Sequence, residues 1–275
     1  DQHVHINIPH GFNIGAAGQP PKCRNSLHSR RTAEVFFVLS GRWRFFWGRW
    51  GTAGEVILEK GDIINIPTGI FRGFENVGTD YGMIMAILGG DDAGGGVIWA
   101  PQVIEDAKNH GLILSEEGKL YNSKKGEKLP IGINQMRTLS DDDLKSYPEP
   151  STEEVVPNHV ARYLDLVALS FEKPAKVIGE FGKLRDKPGF EVEFLTRNSA
   201  KNTRNVSPKP VVLMPVTGHW KMEADGGEIT INPGDTLSIP ENIEYELHPS
   251  MTGESGIYRV EATNDPAGPT WKVSS

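Results

Sequence analysis

A chain of 275 residues can bury one large hydrophobic core or two of ordinary size, and 31 glycines with 19 prolines favour strands and turns over long helices. The net charge of −7 offers no electrostatic footprint for a nucleic-acid backbone, and a single cysteine, Cys23, excludes an internal disulfide framework and a cysteine-based zinc site. No apolar run is long enough to span a bilayer and no signal-peptide pattern opens at Asp1, so a cytoplasmic protein without nucleic-acid or membrane partners is expected.

In chain order, "DQHVHINIPH" places His3 and His5 two positions apart on a candidate strand. "HSRRTAEVFFVLS" (28 to 40) follows, in which His28, Arg30 and Glu34 share parity with Phe36 and Val38. A continuous strand would send all five side chains to one face. "GRWRFFWGRWG" (41 to 51) interleaves arginine with aromatics and reads as a hairpin with ring and guanidinium packing. "LGGDDAGGGVIW" (88 to 99) has no nucleotide-binding glycine pattern and reads as a loop beside a barrel mouth, a candidate lid. "VIWAPQVIEDAKNHGLIL" (97 to 114) predicts one short helix, with Pro101 at its start and Gly111 at its end. The acidic, proline-bearing stretch 140 to 158 reads as a linker, and "ARYLDLVALSFE" and "GFEVEFLTRN" as the first strands of a second unit.

An internal repeat organises these pieces. Gly41-Arg42-Trp43-Arg44 recurs as Gly218-His219-Trp220-Lys221, and "GEVILEKGDIINIP" (54 to 67) as "GEITINPGDTLSIP" (227 to 240). Both copies are short β-rich runs closed by a Gly-Asp turn, which places Gly61-Asp62 and Gly234-Asp235 at equivalent positions.

On these residues the chain resembles the cupin superfamily, whose motifs run G-x5-H-x-H-x3/4-E-x6-G and G-x5-P-x-G-x2-H-x3-N. The first copy reads His28-x-Arg30-x3-Glu34-x6-Gly41 and Gly61-x5-Pro67-x-Gly69-x2-Arg72-x3-Asn76, so every spacing from His28 onward matches. The second copy matches through Gly218, Gly234 and Pro240, with Asn205, Ser207, Val211 and Tyr245 at the ligand positions. The resemblance implies an all-β bicupin of two jelly-roll antiparallel barrels in tandem with a few short helices. Residues 1–115 and 159–275 would form the barrels and 116–158 the connection. The family's habit of pairing barrels edge to edge makes a homodimer one expected arrangement.

In the family the ligand quartet is three histidines and a carboxylate on a divalent metal. Here Arg30 and Arg72 replace two histidines, and a guanidinium has no lone pair for a cation. Three readings of the pocket stand open. Arg30, Arg72 and Glu34 could be a paired structural network. His28, Arg30, Glu34 and Arg72, with Phe36 and Tyr245, could bind a small anionic molecule without a cofactor. Or His28 and Glu34 could hold a metal with help from His3 or His5, as in metal-dependent cupin enzymes such as quercetinase-like dioxygenases, isomerases or cyclases. If the protein is an enzyme, His28 and Glu34 are the candidate catalytic residues.

Overall fold

The computed structural model describes residues 5–89, 97–201, 204–249 and 252–263. His3 and the core of the candidate lid, residues 90–96, lie outside the described residues. The first unit runs β1 (Phe12–Gln19), β2 (His28–Arg30), β3 (Glu34–Ser40), β4 (Trp43–Trp47), β5 (Gly54–Leu58), β6 (Ile63–Ile66), β7 (Arg72–Asn76), β8 (Gly82–Gly89) and β9 (Val97–Trp99). Helix α1 (Pro101–Asn109), the hairpin β10 (Leu112–Leu114) and β11 (Leu120–Asn122), α2 (Asp141–Leu144), α3 (Thr152–His159), β12 (Val160–Ala161) and α4 (Tyr163–Leu169) lead onward. The second unit holds β13 (Ala175–Ile178), β14 (Phe190–Thr196), α5 (Arg197–Ala200), β15 (Arg204–Asn205), β16 (Val211–Thr217) and β17 (Trp220–Ala224). It ends with β18 (Gly227–Ile231), β19 (Leu237–Ile239), β20 (Tyr245–Pro249) and β21 (Gly256–Ala262).

The protein is all-β in class, with short helices, and its two units are built alike. Among the described residues the first forms the sheets β1-β8-β3-β6-β12 and β5-β4-β7-β2-β9, and the second forms β13-β14-β21-β16-β19 and β15-β20-β17-β18. The order β8-β3-β6 is therefore matched by β21-β16-β19, and β5-β4-β7-β2 by β18-β17-β20-β15. A register shift at Val38/Ser40 against β8 is repeated at Pro215/Thr217 against β21.

The repeated turns are equivalent down to their hydrogen bonds. Asp62 N donates to Glu59 O and Asp235 N to Asn232 O, both at 2.9 Å. Each aspartate carboxylate closes the loop by accepting from Glu59 N (2.9 Å) or Asn232 N (2.7 Å). Gly61 and Gly234 take φ of 85° and 95°, the left-handed region open to glycine. At Gly61 a side chain is doubly excluded, because a Cβ would lie 2.4 Å from the Tyr163 ring.

One apolar layer joins the two units. Val35, Phe37, Ile63, Met85 and Ile87 pack in a single buried cluster with Val192, Phe194, Val212, Met214, Tyr258 and Val260. The opposite parity fills the barrels: Phe36, Val38, Phe45, Phe74, Ile84 and Ala86 in the first, Leu195, Leu213, Trp220, Tyr245 and Ile257 in the second. Tyr258 also donates its hydroxyl to Gly61 O at 2.6 Å, tying β21 to the first repeat's turn.

Between the barrels the structure differs from the sequence expectation. "ARYLDLVALSFE" is not a strand; α4 covers Tyr163–Leu169 because Tyr163, Leu166 and Val167, at helical spacing, all face the shared layer. Residues 140–158 connect the units but do not hang free. Ser140 and Ser151 close capping boxes on α2 and α3, and Leu144 and Val155 are buried. Trp47 Nε1 donates to Pro150 O (2.7 Å), Thr152 Oγ1 accepts from Glu55 N (3.0 Å), and β12 pairs with β6 of the first barrel. The predicted helix is α1, with Pro101 in its first turn and Ile104 buried. The arginine–aromatic hairpin is also as expected, with the Arg44 and Arg24 guanidiniums 4.5 Å and 4.2 Å from the Phe46 ring centre. No helix among the described residues is long and apolar enough to cross a membrane.

The two turns carry different loads, which urea unfolding should resolve. Asp62 is buried and also accepts from Tyr163 N (2.8 Å) and Arg162 Nη1 (3.1 Å), whereas Asp235 is exposed. Asp62→Ala is expected to cost about 2 kcal/mol or more, and Asp235→Ala less than half of that. Equal losses would contradict the role given to Asp62.

Candidate functional site

The motif residues of the first copy converge in one buried place. Antiparallel pairing sets His28 opposite Arg72 on one side and opposite Trp99 on the other. Glu34 opens β3 and shares the inward parity of Phe36 and Val38. His28, Glu34, Phe36 and Arg72 are all buried, and Arg30 is nearly so. Arg72 donates to Glu34 Oε2 through both Nε (3.2 Å) and Nη2, the latter a very short contact. Arg30 Nε lies 3.5 Å from Glu34 Oε1, an ion contact without hydrogen-bond geometry. Among the described residues, Arg30 Nε, Arg30 Nη1 and Arg72 Nη1 are buried without a hydrogen-bond partner.

Protonation follows from this arrangement. Burial, then the Arg72 guanidinium, pushes the His28 imidazole from its ordinary 6.5 down to about 4, against the pull of Glu34. His28 is therefore neutral at physiological pH. Its Nδ1 contacts Ser26 O at 2.8 Å; a carbonyl only accepts, so the proton sits on Nδ1 and the lone pair on Nε2. Burial alone would raise the Glu34 carboxyl, but Arg72 and Arg30 hold it below the ordinary range, so it stays ionised. Burial lowers Arg72 while Glu34 holds it up, and a guanidinium keeps its proton at neutral pH. Two guanidiniums against one carboxylate leave the site with a formal charge of +1.

The second barrel answers differently. Val211 is buried in its core, and Ser207 Oγ accepts from Lys209 N at 3.1 Å. Tyr245 is buried and engages Arg259, a residue the motif does not reach. Arg259 donates to Asn205 Oδ1 (2.9 Å) and Glu193 Oε2 (2.5 Å), closing a polar network around one guanidinium. A sequence signal for it existed, since Glu191, Glu193, Arg259 and Glu261 alternate with the apolar residues of the shared layer. Of the other histidines, His5 is exposed and His219 Nδ1 contacts Asn232 Oδ1.

A further cluster lies on the face of β17 and β20 opposite Trp220, Met222, Tyr245 and Leu247. Glu223, Glu246 and His248 offer ligand atoms within 4.8 Å of one another, but the Lys221 ammonium already sits 2.7 Å from Glu223. Beside them a surface cavity of about 650 Å³ is lined by Glu223, Asp225, Glu228, Glu244 and Glu246 with Arg204, a wall that repels anions.

The depressed His28 makes an acid-stability prediction. Unfolded, it titrates near 6.5 and folded near 4, so the unfolded chain binds more protons between those values. Stability contributed by neutral His28 is present above pH 6.5 and is lost as pH falls toward 4, to an extent of about 3 kcal/mol. His159, lowered to about 4 chiefly by burial, adds in the same direction. His28→Asn, whose amide can still donate to Ser26 O, is expected to flatten the fall in urea midpoint across that window. An unchanged slope would remove His28 as its source.

No protein-family model matches the sequence, and no curated protein matches it. Solved structures do match. The salicylate 1,2-dioxygenase of Pseudaminobacter salicylatoxidans aligns over 92% of this chain and 71% of its own, with TM-score 0.54 and 13% identity. The oxalate decarboxylase of Lactobacillus farciminis, in a formate complex, aligns over 94% and 79% with TM-score 0.54 and 14% identity. A Bacillus subtilis oxalate decarboxylase variant aligns over 93% and 70% with TM-score 0.50 and 15% identity. Identities this low speak for architecture, and with the matched strand orders and turns they give the conclusion that the chain has the two-barrel cupin, or bicupin, fold.

Proposed function

We propose that the first barrel binds a small organic anion of the carboxylate class through Arg30 and Arg72, without a resident metal. The observation that carries this reading is the set of buried guanidinium nitrogens, Arg30 Nε and Nη1 and Arg72 Nη1, without hydrogen-bond partners among the described residues. Leaving buried donors unsatisfied costs about 1–3 kcal/mol each, more when charged, so a ligand that accepts from them has that much to recover. Guanidiniums meet carboxylates by paired, charge-assisted bonds. Salicylate and oxalate, in the names of the matched enzymes, belong to the same class.

Binding suits these residues better than proton transfer. A general base works best with its pKa near ambient pH, and both His28 and Glu34 are held below that. Nor do the donors suit a divalent cation. Both Glu34 oxygens face guanidiniums, His28 Nε2 is left as the one neutral donor of the motif set, and the surrounding charge is positive. The metal-dependent dioxygenase, isomerase or cyclase reading is the alternative. Purified protein is expected to carry well under one equivalent of iron, manganese, nickel, copper or zinc by plasma mass spectrometry. Near-stoichiometric metal that disappears in His28→Ala would put the metalloenzyme first; metal that survives it would point to Glu223, Glu246 and His248.

The competing structural reading rests on the Arg72–Glu34 pair, which alone would make a closed ion bridge. A thermal-shift panel of aromatic and aliphatic carboxylates separates the two. At one hundred times its dissociation constant a bound carboxylate should stabilise the protein by about 2.7 kcal/mol. Arg30→Gln leaves the Arg72–Glu34 pair in place but removes the excess positive charge, so the same compound should lose its effect there. No hit on the wild type, together with an Arg30→Met, Arg72→Met, Glu34→Leu variant at least as stable, would decide for a structural network.

A further inference from the structure

A cluster of different chemistry lies outside the second barrel, on the solvent face of the sheet β15-β20-β17-β18. Strand register brings its members together. Arg204, Glu246, Glu223 and Glu228 are successive cross-strand partners in one row, and His248, Lys221 and Thr230 form the next. Trp220, Met222, Tyr245 and Leu247 take the opposite parity and pack in the core. The cluster is therefore separate from the motif positions, and Glu223, Glu246 and His248 are all partly exposed.

The two central carboxylates divide their oxygens. Glu223 Oε1 takes the Lys221 ammonium at 2.7 Å, and Glu246 Oε1 accepts from Arg204 Nε at 3.3 Å. The other oxygen of each, Oε2, faces His248 Nε2, which lies 3.9 Å from that of Glu223 and 3.2 Å from that of Glu246. One imidazole nitrogen and two carboxylate oxygens thus stand within 4.8 Å of one another. Ligand atoms at about 2.0–2.1 Å from a tetrahedral zinc ion are about 3.3–3.4 Å apart, so small rotations of these side chains close the trio on an ion. Like charges directly opposite on a sheet repel, and Lys221 and Arg204 offset only part of the charge here. The adjoining cavity of about 650 Å³ adds Asp225 and Glu244 to Glu223, Glu228 and Glu246, which leaves carboxylates well in excess and draws cations to this face.

We propose that Glu223, Glu246 and His248 form a binding site for a divalent first-row transition metal ion of the zinc type, with water in the remaining coordination positions. The imidazole decides the class, because nitrogen suits zinc, nickel and copper, whereas Mg²⁺ and Ca²⁺ take oxygen shells. Lys221 and Arg204 act as positioning residues, each holding the carboxylate oxygen that the ion does not use. Three protein ligands, partial exposure and a neighbouring ammonium make the site weak. It fills when the ion is supplied and empties in metal-free buffer, which agrees with the low metal content expected of the purified protein. The proposal does not depend on the anion reading of the first barrel.

Calorimetric titration with Zn²⁺, on protein stripped with EDTA and exchanged into metal-free buffer, tests the site. The wild type should take up one equivalent, which a large excess of Mg²⁺ should not displace. His248→Asn and Glu246→Gln should each weaken binding at least about tenfold, a loss found even for residues that only orient a ligand. His28→Asn should leave it intact. In ¹⁵N-labelled protein the His248 ring nitrogens should shift in step with the titration, and this wild-type readout decides alone should a variant not fold. No zinc uptake, displacement by Mg²⁺, a His248 ring unmoved by zinc, or undiminished binding in His248→Asn would each overturn the proposal. Zinc lost in His28→Asn and kept in His248→Asn would place the ion in the first barrel, against this site and the anion reading together. Failure of every carboxylate to bind, with the zinc titration as expected, would sink the anion reading and leave the metal site standing.

Discussion

The apolar layer between the sheet of β8, β3 and β6 and the sheet of β21, β16 and β19 sets the direction of every side chain in both barrels. A strand alternates its faces with a period of two, so sending Val35 and Phe37 into the layer sends Glu34, Phe36 and Val38 into the first barrel. By the same rule Tyr258 and Val260 in the layer turn Arg259 and Glu261 into the second. A slip of one residue would drive Glu34 or Arg259 into hydrocarbon, which makes the register costly to change. The Tyr258–Gly61 hydrogen bond and the Tyr163–Thr217 bond at 3.0 Å fix the same layer from its rim. Neither barrel can therefore be understood as an isolated unit.

Given that frame, the two interiors hold charge in contrasting ways. In the second barrel one guanidinium, Arg259, is met by Glu193, Asn205 and Tyr245. In the first, Glu34 alone must serve two guanidiniums, and His28 is held neutral beside them. Desolvating an ion costs several kcal/mol, and one carboxylate can offset that for one good partner. Arg72 takes that partner with two bonds to a single oxygen; Arg30 gets only a 3.5 Å contact. Among the described residues the first barrel thus has guanidinium donors in excess of carboxylate acceptors, which the second barrel does not.

How much of this could be read from residues alone depended on whether a local rule was in force. The turns were legible because Gly61-Asp62 and Gly234-Asp235 combine a left-handed backbone with a carboxylate that closes the loop, a requirement independent of the rest of the fold. The continuous strand expected over His28 to Val38 is instead broken at residues 31–33, and β2 and β3 lie in different sheets, so His28 and Arg30 meet Glu34 across the barrel and not by shared parity. The helix at Tyr163–Leu169 was not legible, because its apolar residues read equally as a strand until the shared layer selects Tyr163, Leu166 and Val167. Residues 140–158 looked like a linker because their anchors, Pro150 O on Trp47 and Thr152 on Glu55, use backbone groups and a hydroxyl that leave no hydrophobic pattern. The Arg259 network was hidden by a sound rule applied to the wrong surface. In "GFEVEF" and "GIYRVEA" the apolar parity faces the other unit, so the charged parity faces inward.

The same separation of backbone from chemistry explains how the first barrel can match the motif's spacing with arginine at two of the motif's histidine positions. Spacing is a property of strands and turns, and the turns hold even where a residue is ill suited to them. Six residues before His28, where the motif has glycine, stands Lys22, and its φ is still 65°, a left-handed conformation that a side chain makes less favourable. It is held there by Lys22 N donating to Asn76 O at 2.9 Å, Asn76 being the last residue of the second motif. A frame so maintained aims whatever side chains it carries at one point. Histidines there would present lone pairs to a cation; Arg30 and Arg72 present only N–H groups, which coordinate none.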